Sequence, residues 1–197
     1  MSVRRSGAVD LARIRAAVAG SAAAVASLAG QADTIGRMSD LMVRALRAGR
    51  TVLSAGNGGS AAEAMHLAEE LTGRYRSNRR ALPAVALAAD GTALTCIGND
   101  FGFDAVFARQ VEALARPGDV LIVFSTSGNS PNLIHAVAAA RRRKARVATL
   151  LGKGGGKLAG RADVELIVES EVTGRIQEAH QVVLHLLLEA VEREFGK

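Results

Sequence analysis

Short apolar runs punctuate the chain from residue 51 onward: Thr51–Ala55, Ala84–Ala88, Val120–Phe124, Arg146–Leu151 and Val164–Val168. Gly, Pro or polar residues bound them and none is long enough for a typical helix, so each predicts a short buried strand. Helical patterns fall between them, over Ser60 to about Gly73, Phe103–Ala115, the residues from Pro131 onward and about Gly174 to Phe195. Pro131 suits the first position of its helix. In the last helix Ile176, Val183, Leu184, Leu187, Leu188 and Val191 are apolar. Thr92–Ile97 fits a helix or an extended segment equally, residues 74–82 read as a basic loop, and Gly152–Gly156 reads as a flexible one. Residues 8–49 look helical throughout, with Gly30 and Gly49 as breaks or stops and Leu41, Met42 and Leu46 in an apolar stripe.

Strands alternating with helices predict an α/β fold. It is a doubly wound, mainly parallel five-stranded sheet flanked by helices, with an N-terminal helical segment and a long C-terminal helix. Residues 1–50 would carry the N-terminal helices and residues 51–197 the sheet, in one structural domain. Two helices ahead of the first strand cannot bury both faces on one sheet layer. They are expected to pack on the domain and against another subunit.

Ligands of such sheets sit outside the carboxyl ends of the strands. Two polar loops follow strands and so fall on that edge: G-N-G-G-S at Gly56–Ser60 and S-T-S-G-N-S at Ser125–Ser130. A small-residue loop running into a helix aims free backbone N–H groups at an anion. Ser125, Thr126, Ser127 and Ser130 add four hydroxyls, which favours phosphate for the second loop. Alone, the first loop reads equally as an anion contact or a tight turn. Neither matches a nucleotide-binding motif, so the expected ligand is a sugar phosphate.

His66 and Glu70 are four apart and share a helix face. Alone, that pair is an ordinary helix-surface contact; with water it could also form a zinc shell. Gln177, His180 and His185 lie on the last helix, so three of the four histidines fall on these two helices. His185, between Leu184 and Leu186, reads on its own as a buried core histidine. On a straight helix Gln177 and His185 stand about 12 Å apart along the axis and about 80° apart in direction. One metal could take both only if the first turn is irregular or if two subunits share the site.

Composition narrows the classes. The chain has 197 residues, 49% of them hydrophobic, with 3% aromatics and no Trp, so the core must be aliphatic. The single cysteine, Cys96, excludes an internal disulfide and suits a reducing, cytoplasmic compartment. A net charge of +6 is spread along the chain, and its densest cluster, Arg141–Lys144, falls where a helix dipole favours cations. With few aromatics to stack on bases, no nucleic-acid partner is expected. Arg4 and Arg5 ahead of the run Ala16–Ala32 look superficially like an export signal, but Asp10, Arg13 and Arg15 interrupt the approach to it. No segment reads as membrane-spanning.

The segments G-N-G-G-S-A-A-E-A-M-H-L-A-E-E, L-P-A-V-A-L, I-G-N-D-F-G, G-D-V-L-I, S-T-S-G-N-S-P-N and R-I-Q-E-A-H, with Phe107, Arg109, Gln110 and Val111, span residues 51–190. Together they resemble the sugar isomerase (SIS) domain family. The resemblance implies an aldose–ketose isomerase converting D-sedoheptulose 7-phosphate to D-glycero-D-manno-heptose 7-phosphate through a metal-assisted enediolate. It places one zinc ion per subunit on His66, Glu70, Gln177 and His185, and the acid–base roles on Glu70 and His185. Its substrate contacts are Asn57, Gly58, Gly59, Ser60, Glu70, Asn99, Asp100, Ser125, Thr126, Ser127, Ser130 and Gln177. It also implies a homotetramer with sites between subunits. Gly174 departs from some members, which carry an acidic residue three before the glutamine. One alternative is a non-catalytic relative that binds a replication initiator and lacks the acid–base pair; another is a different ketose-phosphate isomerase. Residues 1–50 are too short and too alanine-rich for a sugar-sensing regulator's helix-turn-helix.

Overall fold

The computed structural model describes residues 10–196. The expectations for Arg4, Arg5, Ala8 and Val9 lie outside the described residues. Five strands form one sheet in the order β2-β1-β3-β4-β5, with every neighbouring pair parallel. The strands are β1 (Val52–Ala55), β2 (Ala84–Ala86), β3 (Val120–Ser125), β4 (Arg146–Gly152) and β5 (Val164–Val168). The sheet is therefore wholly parallel, and the order reverses between β1 and β3. That switch point opens a crevice at their carboxyl ends.

Successive strand residues point to opposite faces, and the core divides accordingly. Val120, Ile122 and Phe124 join Val52, Ala148, Leu150 and Leu166 in one cluster. It is covered by α2 (Ala32–Arg47), α3 (Gly59–Thr72) and α7 (Thr173–Phe195). Leu121 and Val123 join Leu53, Val147 and Leu151 in the other, under α5 (Val106–Leu114) and α6 (Pro131–Arg142).

Several local readings change. Residues 91–101 form α4 (Gly91–Phe101), with Asp90 capping its start by accepting from the N–H groups of Thr92 and Ala93. None of its residues is buried, so the apolar periodicity that would have marked it as a helix is weak. The Phe103–Ala115 helix opens with a 3-10 turn before α5. Residues 152–156 are not a loose loop: Lys153–Leu158 is a tight, kinked turn in which Gly154, Gly155 and Gly156 have positive φ, and Gly155 is buried beside Ile167 and Leu151.

α1 (Leu11–Ser27) carries Leu11, Ile14 and Val18 exposed to solvent, and a 3-10 turn at Leu28–Gln31 joins it to α2. Against expectation, the continuous stretch Leu11–Arg47 is long and apolar enough to cross a membrane by length and composition. Its second half, however, carries Asp33, Arg37, Asp40 and Arg44 on one side and seats Ile35, Met38, Met42 and Leu46 in the core. A core helix of a globular fold has that pattern.

Candidate active site

The crevice between β1 and β3 contains a cavity of about 220 Å³. Asn57, Gly59 and Ser60 line it from one loop, Ser125, Thr126, Ser127 and Ser130 from the other, and Thr173 and Gln177 from α7. The helices α3, α6 and α7 all begin at this cavity, and none has a side-chain cap. Pro131 has no N–H, and the Ser60 and Leu133 N–H groups already donate to the Asn57 and Ser130 carbonyls, which leaves those of Gly59, Asn132 and the first turn of α7 for an anion. Ser130 makes no capping bond, so its hydroxyl is not committed to its own helix. Ser125 Oγ accepts from Gly128 N–H at 3.0 Å and Ser127 Oγ from Asn129 N–H at 3.2 Å. Acceptance leaves both O–H groups available to donate to a ligand.

The two loops are locked together. Asn57 Nδ2 donates to Asn132 Oδ1 at 3.0 Å, and Asn132 Nδ2 donates back to Asn57 Oδ1 at 2.9 Å. Asn132 is buried. The Asn57 carboxamide is therefore largely occupied by structure. A Cβ at Gly59 would come within 2.3 Å of Gln177 Nε2, the mobile end of a long side chain, so a substitution there would displace Gln177. Gly128 has φ +61° and lies so close to Gly155 that a Cβ would stand 1.8 Å from the Gly155 carbonyl oxygen.

A second cluster lies two turns further along the paired helices α3 and α7. His66 Nε2 faces Glu70 Oε1 at 3.4 Å and Glu69 Oε1 at 4.0 Å. The His66 and His185 rings meet edge to face with centroids 5.4 Å apart, and Tyr75 stacks on His185 at 5.9 Å. His185 is only half-buried, so the core reading fits His180 instead. That ring is fully buried, donates from Nε2 to the Leu151 carbonyl at 3.1 Å and faces buried Glu63 at 3.7 Å. His180 shares a face with Ile176, Val183, Leu184 and Leu187 by three- and four-residue spacing, a signal readable in the sequence.

Imidazole and carboxylate are suitable donors for a divalent cation; His66, Glu69 and Glu70 present donor atoms within 4.8 Å of one another, and His185 stands beside His66 with Gln181 touching both rings. Gln177 does not join them. It lies beside Gly59 in the anion cavity, and α7 is regular from Thr173 onward. Its counterpart in the cluster is Gln181, whose Nε2 stands 2.6 Å from His66 Nδ1 and 3.2 Å from His185 Nε2. Asn99 and Asp100 join neither group; both are exposed on α4, with Asn99 Nδ2 donating to Asp100 Oδ1 at 2.8 Å. Gly58 immediately precedes α3 with φ +56° and is not among the residues lining the cavity.

Behind the cluster, the fully buried Arg79 guanidinium bonds Glu192 Oε1 at 3.1 Å and the Glu70 carbonyl at 2.7 Å. It ties α7 to the end of α3. Burial pushes the Glu192 carboxyl up, but hydrogen bonds from the Ser77 hydroxyl and N–H, with Arg79, outweigh it and hold the pKa below 4.5.

A parallel α/β sheet with an uncapped, hydroxyl-rich anion cavity at its switch point defines a phosphosugar-binding class, and the comparisons agree. The SIS domain model matches residues 18–152, and the chain belongs to that family. A phosphoheptose isomerase from Escherichia fergusonii is 52% identical over 164 residues, covering 83% of this chain and 85% of that protein. The solved phosphoheptose isomerase of Neisseria gonorrhoeae superposes with a TM-score of 0.87 at 43% identity, covering 92% of this chain and 97% of that one. The Francisella tularensis phosphoheptose isomerase gives a TM-score of 0.90 at 35% identity, covering 93% and 98%.

Proposed function

We propose that the chain is an aldose–ketose isomerase of the phosphoheptose class, converting D-sedoheptulose 7-phosphate to D-glycero-D-manno-heptose 7-phosphate in the cytoplasm. The observation that carries this reading is the pairing of an anion cavity with a carboxylate–imidazole cluster along the same two helices. Gly59 and His66 are separated by about 10 Å of helix, which suits an extended sugar whose phosphate and reacting carbons lie at opposite ends.

The phosphate would be held by Ser125, Thr126, Ser127 and Ser130 with the backbone N–H groups of Gly59 and Asn132. Moving the carbonyl from C2 to C1 requires that one proton leave C1 and one reach C2 through an enediolate. Glu70 and His185 are the groups able to exchange them, each contributing about 10²–10⁴-fold. A zinc ion, held by His66, Glu70 and His185, would supply Lewis-acid stabilisation of the enediolate oxygens. A homotetramer would bring Asn99 and Asp100 of a neighbouring subunit toward the cluster. The exposed α4 and the apolar face of α1 support that reading.

The test is a panel of ketose phosphates followed by NMR with zinc-loaded protein. Appearance of the aldose from sedoheptulose 7-phosphate alone supports the assignment. Turnover of another ketose phosphate in preference would move it to a different isomerase, and no turnover at all would favour a non-catalytic binding role.

A further inference from the structure

The opposite edge of the sheet carries another cavity, of about 540 Å³. Small-molecule sites typically measure roughly 300–1,000 Å³. It lies at the amino ends of the strands: Val120, Arg146 and Val164 are the first residues of β3, β4 and β5, and Arg50 stands two before β1. The length of β3, about 17 Å, separates it from Ser125–Ser130.

Four arginines from three places in the chain meet there: Arg37 and Arg44 on α2, Arg50 in the turn before β1 and Arg146 on β4. Among the described residues, the one carboxylate lining the cavity is Asp163. It is already held by Arg146 at 2.9 Å and by the Val147 N–H at 2.8 Å. Arg44 comes only within 3.9 Å of Asp40. Arg37 donates to the Thr34 hydroxyl at 3.1 Å. Arg50 runs across Gly118, whose φ is +90°, so closely that a Cβ there would stand 3.2 Å from Arg50 Nε. Four like charges around one hollow repel one another, and a bound polyanion would relieve that. Guanidinium forks match phosphate oxygens.

The ligand also needs an apolar part. All four arginines are exposed, whereas Val120 is buried and Leu41 and Val164 are half-buried, so the rim is cationic and the floor aliphatic. No lining residue belongs to α1 or α4, the elements offered to a neighbouring subunit.

We propose that this cavity binds a nucleoside diphosphate, its base against Leu41, Val120 and Val164 and its phosphates among the arginines. Arginines that merely solvate the surface would hold any anion without regard to an apolar body. The inference does not depend on the proposed reaction, and a chain that isomerises nothing would leave it standing.

Calorimetry on the full chain tests it, with ADP, adenosine, pyrophosphate and an oligoglutamate peptide as probes at one ionic strength. ADP should bind about tenfold tighter than pyrophosphate through its buried base. Adenosine and the peptide should not saturate. Arg37→Gln and Arg50→Gln should each weaken ADP about tenfold or more, while inorganic phosphate still binds at the switch-point cavity. Ser127→Ala should do the reverse, weakening inorganic phosphate and leaving ADP as in the wild type. No binding of ADP, or unchanged ADP affinity in the Arg37→Gln, Arg50→Gln double variant, would overturn the proposal. So would pyrophosphate or the peptide binding as tightly as ADP, or loss of ADP in Ser127→Ala.

Discussion

The anion cavity and the histidine cluster sit on the same two helices but are built from different materials. The cavity is mostly backbone and short hydroxyls at three helix starts that lack side-chain caps. Elsewhere α1 and α4 begin under Asp10 and Asp90, and α2 and α5 run on from 3-10 turns. A helix whose first N–H groups are meant for a ligand cannot also spend them on its own cap. The cluster is made of long side chains from two helices, half-open to solvent. The cavity is lined by one chain, whereas the cluster pairs His66 with Glu69 and Glu70, has His185 beside it and leaves Gln177 in the cavity. Binding and chemistry should therefore separate under mutation.

The largest effect is expected at the cluster. Glu70→Gln should lower kcat about 10²–10⁴-fold while inorganic phosphate binds as before, measured by steady-state kinetics and calorimetry. Comparable loss of phosphate binding would break the separation.

Gly128→Ala is next. It puts a Cβ at φ +61° and 1.8 Å from the Gly155 carbonyl oxygen, so about 1–3 kcal/mol of strain should appear in thermal unfolding, with phosphate affinity falling alongside. Asn132→Leu removes the reciprocal amide pair and leaves Asn57 without it. Because Asn57 is only half-buried, a cost of about 1 kcal/mol is expected for the lost pair, and KM should rise more than kcat falls.

The smallest effect concerns the brace behind the cluster. The Glu192 pKa is depressed in the folded chain, so its contribution to stability is present above pH 4.5 and is lost as pH falls through the folded value. Glu192→Gln should flatten the acid limb of a stability–pH curve and change little at neutral pH beyond the lost Arg79 contact. Unfolding midpoints from pH 2 to 7 would check this.

The same contrast explains what could be read in advance. Strand, loop and helix start are contiguous in sequence, so Ser125–Ser130 and Pro131 were legible as a cavity edge, and the Val120 run as its strand. The cluster depends on how α3 lies on α7, which local pattern does not encode. Gln181 stands four before His185 on the same helix face, a spacing readable in the sequence. Leu184 and Leu186 beside His185 suggest a core histidine, but burial follows neighbours on the helix face, and it is His180 that lies in the core. Asn132 was overlooked as a contact because its partner lies 75 residues away. Gly155 looked flexible because glycine runs usually are, yet its packing against Ile167 needs the missing Cβ.

The central claim is that one carboxylate and one imidazole in this cluster move protons on a sugar held by its phosphate. Running sedoheptulose 7-phosphate in heavy water with zinc-loaded protein, and following the product by NMR, tests it most directly. The account predicts an aldose carrying deuterium at C2 from the wild type, and neither product nor exchange from Glu70→Gln and His185→Gln. Wild-type turnover rates in both variants would contradict it.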